Sequence, residues 1–402
     1  MLDTVRGVAV LGILLLNIVN FALPQAAYLN PRAYGGWHGA DLAVYLINFI
    51  LFDGKMRGLF SLLFGASMLL VIDRAEKGGR NPAVAHYARM GWLLAFGLAH
   101  LWLLWVGDIL AHYALVGMAA FGLRKLPPER MIILAILLTM AGIVMLSALP
   151  LSVHHWQSAA ANADEAARQA RGLRELNAAF GVPAPAEIAR ELARMRSGYL
   201  VILQERFAEN WARPWLNLLV VGPETLAFML FGMAALRSGM LPGDWTPDRY
   251  RCWLLLCWGI GIPAYAALAA YLVRAEFSLF AVTLAPTLSA FLLPAMVLGW
   301  LCAIQLLARP GGALTDRLAA AGRMAFTNYL LTSLICTTLF YGYGFGWFGT
   351  LSRWQLYPVV LAIWLAILLW SKPWLAHFRF GPLEWLWRTL ARGQLQPLRA
   401  KA

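Results

Sequence analysis

Asp108 and His112 stand four residues apart in WVGDILAHYALVG, a spacing that sets two side chains next to each other on a helix. A carboxylate that orients an imidazole makes a general base, able to draw the proton from a hydroxyl group. His100 closes the apolar run before this pair, and His38, in YGGWHGADL, opens another. The three histidines are expected on one side of the membrane, where the plainer reading of each is an interfacial ring. No pair or triple has the spacing of a zinc site, so no metal is expected.

A second set lies in the opening MLDTVRGVAVLGILLLNIVNF. At 100° per residue, positions 6 and 17 return to within about 20° of one another, so Asp3, Arg6, Asn17 and Asn20 share one stripe. Hydrocarbon is a costly neighbour for such a stripe, which should face other helices or a wet cavity. Asparagines that bond neighbouring helices would serve equally well. Lys55 and Arg57 follow Asp53 in DGKMRGLFSLLFG, and read either as snorkelling anchors or as part of a charged pocket for an anionic group. Glu224 lies 13 residues, about 20 Å, from Arg237, so its carboxyl must be neutral or paired. Arg323 and Asn328 occur together in GRMAFTNYLLTS.

The elements that hold these groups are membrane helices. Of the 402 residues 61% are apolar and only 13% charged, with 18 Trp, and the mean hydropathy is +0.64. A soluble domain rarely exceeds about half apolar residues, so the fold class is all-α and polytopic. A span needs about 20 apolar residues, and ten segments qualify: 5–23, 41–73, 88–106, 109–124, 131–151, 215–237, 251–273, 278–307, 321–341 and 356–376. The second is too long for one crossing, which places Asp53, Lys55 and Arg57 near the outer boundary. The net charge of +13 does not imply nucleic acid, because Lys and Arg cluster in alternate short connections. That bias puts both termini in the cytoplasm. Four cysteines, all in apolar runs, read as structural.

The expected organisation is an N-terminal bundle over 1–151, an outer helical loop over 152–213, a second bundle over 214–378 and a cytoplasmic amphipathic tail over 379–402. The loop should form two amphipathic helices broken at 181–185, either a cap on the membrane surface or a lid over substrate. The tail segment FRFGPLEWLWRTL should lie along the membrane face.

Five phrases in order, LDTVRGVAVLGILLLN, MRGLFSLLFG, WVGDILAHYALVG, GRMAFTNYLLTS and GPLEWLWRTL, resemble the YeiB family of bacterial membrane proteins, domain of unknown function 418. The opening is also similar to heparan-alpha-glucosaminide N-acetyltransferase and to bacterial membrane acyltransferases. In many of the latter an Arg is followed after ten residues by a basic His; here Arg6 has that spacing to Asn17. The glucosaminide enzyme has Asn at that point and a His before a Trp in the next loop, where this chain has Tyr34 and then Trp37–His38.

The resemblance implies a multi-pass protein of the bacterial inner membrane that moves an acyl group from cytoplasmic acyl-CoA to an outer-face glycan or lipid. On that reading His38, Asp108, His112 and Asn17 carry the catalysis. Asp3, Arg6, Arg323 and Asn328 hold the polyanionic donor, and Lys55, Arg57, His100 and Glu224 line the substrate pocket. Expected partners are membrane lipids and the acceptor, with self-association left open. A transporter or lipid-handling protein without covalent chemistry is the alternative, since charges at membrane depth also mark substrate pathways.

Overall fold

The computed structural model describes residues 1–158 and 163–399. The first helix, α1 (Leu2–Ala22), is followed by a 3₁₀ turn and then by α2 (Gly39–Leu51) and α3 (Lys55–Lys77). Phe52, Asp53 and Gly54 separate those two, and Gly54 adopts a φ of 72°, open to glycine but strained for other residues. The Lys55 ammonium donates to the Phe49 carbonyl at 2.6 Å, meeting one of the acceptors left free at the end of α2.

The chain continues through α4 (Pro82–Ala99), α5 (Leu110–Ala120) and α6 (Pro128–Ser158). The next stretch holds α7 (Ala163–Phe180), α8 (Pro185–Met195) and α9 (Tyr199–Asn210). The break expected at 181–185 is present, and Ser197–Gly198 adds a second that divides the latter half. A short α10 (Arg213–Val220) meets α11 (Gly222–Arg237) at a bend of 61°. Long helices α12 (Pro247–Arg274) and α13 (Leu279–Leu307) follow, capped by Thr246 and Ser278 hydroxyls. The order closes with α14 (Ala313–Arg323), α15 (Ala325–Phe340), α16 (Leu356–His377) and α17 (Pro382–Arg392).

Among the described residues, six helical segments are long and apolar enough to cross a membrane: α1, the α2–α3 run, α6, α12, α13 and α16. The bent α10–α11 pair makes a seventh, and Leu110–Leu123 and Ala325–Phe340 are shorter apolar helices. The protein is a polytopic, all-helical membrane protein. Little of α6 is covered, 17% of its apolar window, while α1 is 78% buried. The first helix is therefore the centre of the bundle, and α6 belongs to its rim.

Two glycine pairs let backbones touch where helices cross, as small residues do in membranes. A Cβ on Gly7 would overlap the Leu318 carbonyl and one on Gly322 the Asp3 carbonyl, which locks α1 against α14. Gly65 and Gly232 do the same for α3 against α11, facing Met229 and Leu62 carbonyls. Backbone cannot swing aside as a side chain can. Gly232→Val is expected to cost about 3 kcal/mol, seen as a lowered melting temperature in detergent.

The connections gather at two ends. At one, Arg353 donates to Ala27 O (2.6 Å), Tyr34 to Gly349 O (2.8 Å) and Asn30 to Phe277 O (3.0 Å). At the other, Arg237 binds the Arg124 carbonyl (2.6 Å), and Trp387 donates to Arg89 O (2.9 Å). The α8–α9 segment closes over the first end: Tyr199 donates to Leu103 O at 2.9 Å and Arg206 to Trp102 O at 3.2 Å.

Candidate functional site

The α4–α5 hairpin turns through a widened π turn at His100–Leu104, a distortion often found at functional positions. Gly97 permits the close approach, since a Cβ there would overlap Ala111 N. Asp108 lies just before α5 and caps it, its Oδ2 accepting from Ala111 N at 2.8 Å. Its Oδ1 is 2.8 Å from His100 Nδ1, with both side chains essentially inaccessible.

The expected Asp108–His112 contact is not formed. Because Asp108 precedes the first turn of α5, the four-residue spacing does not put the two on a common helical face, and the carboxylate turns to His100. A carboxylate only accepts, so Nδ1 carries the proton and Nε2 presents its lone pair. That Nε2 is buried and has no hydrogen-bond partner among the described residues. The ring lies 5.3 Å from Tyr329 and 6.2 Å from Trp105, which stacks on Phe21 of α1 at 3.9 Å. Asn17 sits one turn before Phe21. Asn17 and Asn20 are half-buried and make no side-chain hydrogen bond to another described residue.

His112 points to the other side of α5, where its Nε2 meets Thr225 Oγ1 at 2.9 Å. Next to Thr225, Glu224 Oε1 is 2.9 Å from Arg57 Nη2. This pair lines a chamber of about 240 Å³ with Tyr28, Asp53, Tyr265 and Ser289. The chamber lies where two helices are interrupted, at Asp53–Gly54 and at the α10–α11 bend. Lys55 stands at its wall but is fully buried, its ammonium 3.3 Å from the Tyr265 ring centroid. Lys55, Arg57 and Glu224 thus lie together at one chamber, whereas His100 belongs to the hairpin apex. His38 is exposed at the start of α2, its ring 4.0 Å from Trp37.

The expected donor residues divide. Arg6 pairs with Asp3 at 2.8 Å and donates to Ser67 at 2.6 Å. Arg323 donates to Arg379 O at 3.3 Å. Asn328 is fully buried between Ala321 O (3.1 Å), Ser371 Oγ (3.3 Å) and Trp370 Nε1 (3.1 Å), so its amide is engaged in packing. Two arginines that sequence reasoning did not single out lie on α17.

Helix α17 docks on α4 and α15: Glu384 accepts from Phe326 N (2.8 Å), Thr327 N (3.0 Å) and Thr327 Oγ1 (2.6 Å), and Arg89 lies 4.2 Å over the Trp387 ring. The tail is therefore a docked part of the bundle. Arg388 and Arg392 come with it. Burial and then the charge of Arg392 hold the Arg388 guanidinium below its ordinary pKa, against the opposing pull of Glu384, with Arg6 and Arg74 adding smaller like-charge effects. Only the period-four spacing of Arg388 and Arg392 hinted at a shared face.

The protein YeiB of Escherichia coli (strain K12) is 34% identical to this chain over 399 residues, covering 97% of this chain and 95% of that protein. The chain belongs to the YeiB family. YxaH of Bacillus subtilis (strain 168) is 29% identical over 412 residues, covering 100% of this chain and 96% of that protein. The family description "Protein of unknown function (DUF418)" matches residues 235–394 of this YeiB-family chain, the part that contains α17 and its Glu384 clamp. No solved structure matches the chain.

Proposed function

We propose that this YeiB-family protein is an acyl-CoA-dependent acyltransferase of the bacterial inner membrane, with His100 as its general base. The observation that carries the reading is the buried His100–Asp108 pair with its free Nε2. In the proposed step an acceptor hydroxyl attacks the thioester carbonyl while Nε2 takes its proton, and Asp108 stabilises the imidazolium. The new C–O bond forms as the C–S bond breaks, and the proton passes to the departing thiolate. Asn17 and Asn20 are the nearest uncommitted amides along α1, suited to steady the oxyanion.

Counted with the shorter apolar helices and the α4 segment, the chain makes ten crossings with both termini in the cytoplasm. The donor's phosphates would meet Arg6, Arg74, Arg388 and Arg392. From Arg6 to Phe21 along α1 is about 22 Å, so the thioester reaches the base at the end of an extended arm. The acceptor is an outer-face glycan or lipid.

Thermal unfolding of the purified protein against acetyl-CoA, longer acyl-CoAs and free CoA tests the donor. A saturable rise in melting temperature is expected, reduced at least about tenfold in apparent affinity when Arg388→Ala and Arg392→Ala are combined. The charged chamber at two interrupted helices favours a second reading, transport. Flux of substrate in liposomes without a covalent product would establish that reading instead.

A further inference from the structure

The chamber between α3, α11 and α13 lies across α5 from His100 and takes no part in the proposed transfer. About 35% of the Arg57 side chain and 22% of Glu224 remain accessible. Arg57 Nη2 lies 2.9 Å from Glu224 Oε1, and most of its five N–H donors have no other partner among the described residues. Asp53 spends one carboxylate oxygen on the Tyr28 hydroxyl at 2.8 Å. Ser289 Oγ, on the chamber wall, is buried with no hydrogen-bond partner among the described residues.

Two further properties restrict the occupant. Counted as formal charges, Lys55 and Arg57 balance Asp53 and Glu224 around the chamber. A guest with net charge would leave that charge uncompensated at membrane depth, a costly arrangement. The volume of about 240 Å³ would hold roughly eight waters, too large for one ion and too small for a whole lipid. Its remaining wall is apolar and reaches the rim, through Leu146 of α6 and through Val220, which is 48% exposed.

We infer that this chamber binds the zwitterionic head of a membrane lipid, with the acyl chains leaving past Leu146 and Val220. The phosphate takes the free donors of Arg57, and the ammonium lies between Glu224 and Asp53. A primary ammonium donates hydrogen bonds to both carboxylates, which a quaternary one cannot.

The test uses the full-length, delipidated protein in detergent, titrated with dioctanoyl phosphatidylethanolamine, phosphatidylcholine or phosphatidylglycerol. Melting temperature and native mass spectrometry are the readouts. One ethanolamine lipid should bind saturably, about tenfold tighter than the choline lipid, with the glycerol lipid weakest. Arg57→Met with Glu224→Met removes both charges together and should abolish the preference. Ala290→Phe fills the chamber while leaving every charge in place, and should abolish binding even if the double variant fails to fold. A phosphatidylglycerol shift equal to or above that of the ethanolamine lipid overturns the inference, as does wild-type binding by Ala290→Phe. His100→Gln should bind the lipid normally, so failure of the transfer reading leaves this result standing.

Discussion

His100→Gln should lower acyl transfer by about 10²–10⁴-fold while the protein still folds and binds its donor. The glutamine amide fills much of the imidazole's space and can still donate to Asp108, but it has no basic nitrogen. Asp108→Asn should cost nearly as much for a different reason. An asparagine in that place can turn its NH₂ toward the ring and favour the tautomer with its lone pair at Nδ1, leaving Nε2 protonated. His112→Gln is the control: its ring bonds Thr225 on the far side of α5 and should affect turnover within a few-fold. The measurement is product formation from labelled acyl-CoA by purified protein in proteoliposomes, scored beside the melting temperature. Equal activity in His100→Gln and wild type would remove the base from the proposal.

Glu384→Ala should destabilise the protein by about 3 kcal/mol. The carboxylate is 8% exposed and accepts two backbone amides and one hydroxyl at the start of α15, from a helix 57 residues away in the chain. An anion at a helix N-terminus is favoured by the dipole, and each amide left without a partner costs about 1–3 kcal/mol. Losing the clamp also frees α17 from α4, so Trp387 no longer stacks with Arg89. Trypsin should then cut at Arg388 and Arg392 much faster than in wild type, and donor binding should weaken with it. Glu384→Gln keeps one acceptor oxygen and should recover about half the loss. Unchanged melting and proteolysis in Glu384→Ala would show that the tail is held by other contacts.

The comparison of these two sites explains what was readable beforehand. Along α1 the polar stripe follows from helical periodicity alone, because eleven residues make just over three turns, and Arg6, Asn17 and Asn20 are half-buried. That the Glu224 carboxyl must be neutral or paired was legible for a related reason, since charges at membrane depth must find partners, but its partner Arg57 came only from the fold. The Asp108–His112 pair was not. Its spacing is meaningful only inside a helix, and α5 begins two residues after Asp108, so capping geometry overrides periodicity. Nothing local in GPLEWLWRTL distinguishes a helix lying on lipid from one docked into a bundle, because both are amphipathic.

By itself the sequence determined that the chain is a multi-pass helical membrane protein of the YeiB family, because apolar run length and an ordered set of phrases are local quantities. Tertiary structure alone decided which acid meets which histidine, that α17 carries Arg388 and Arg392 onto α4 and α15, and that two interrupted helices enclose a charged chamber. Those facts depend on where helices end and which backbones approach, through glycine pairs and cross-chain caps whose partners lie tens to hundreds of residues apart.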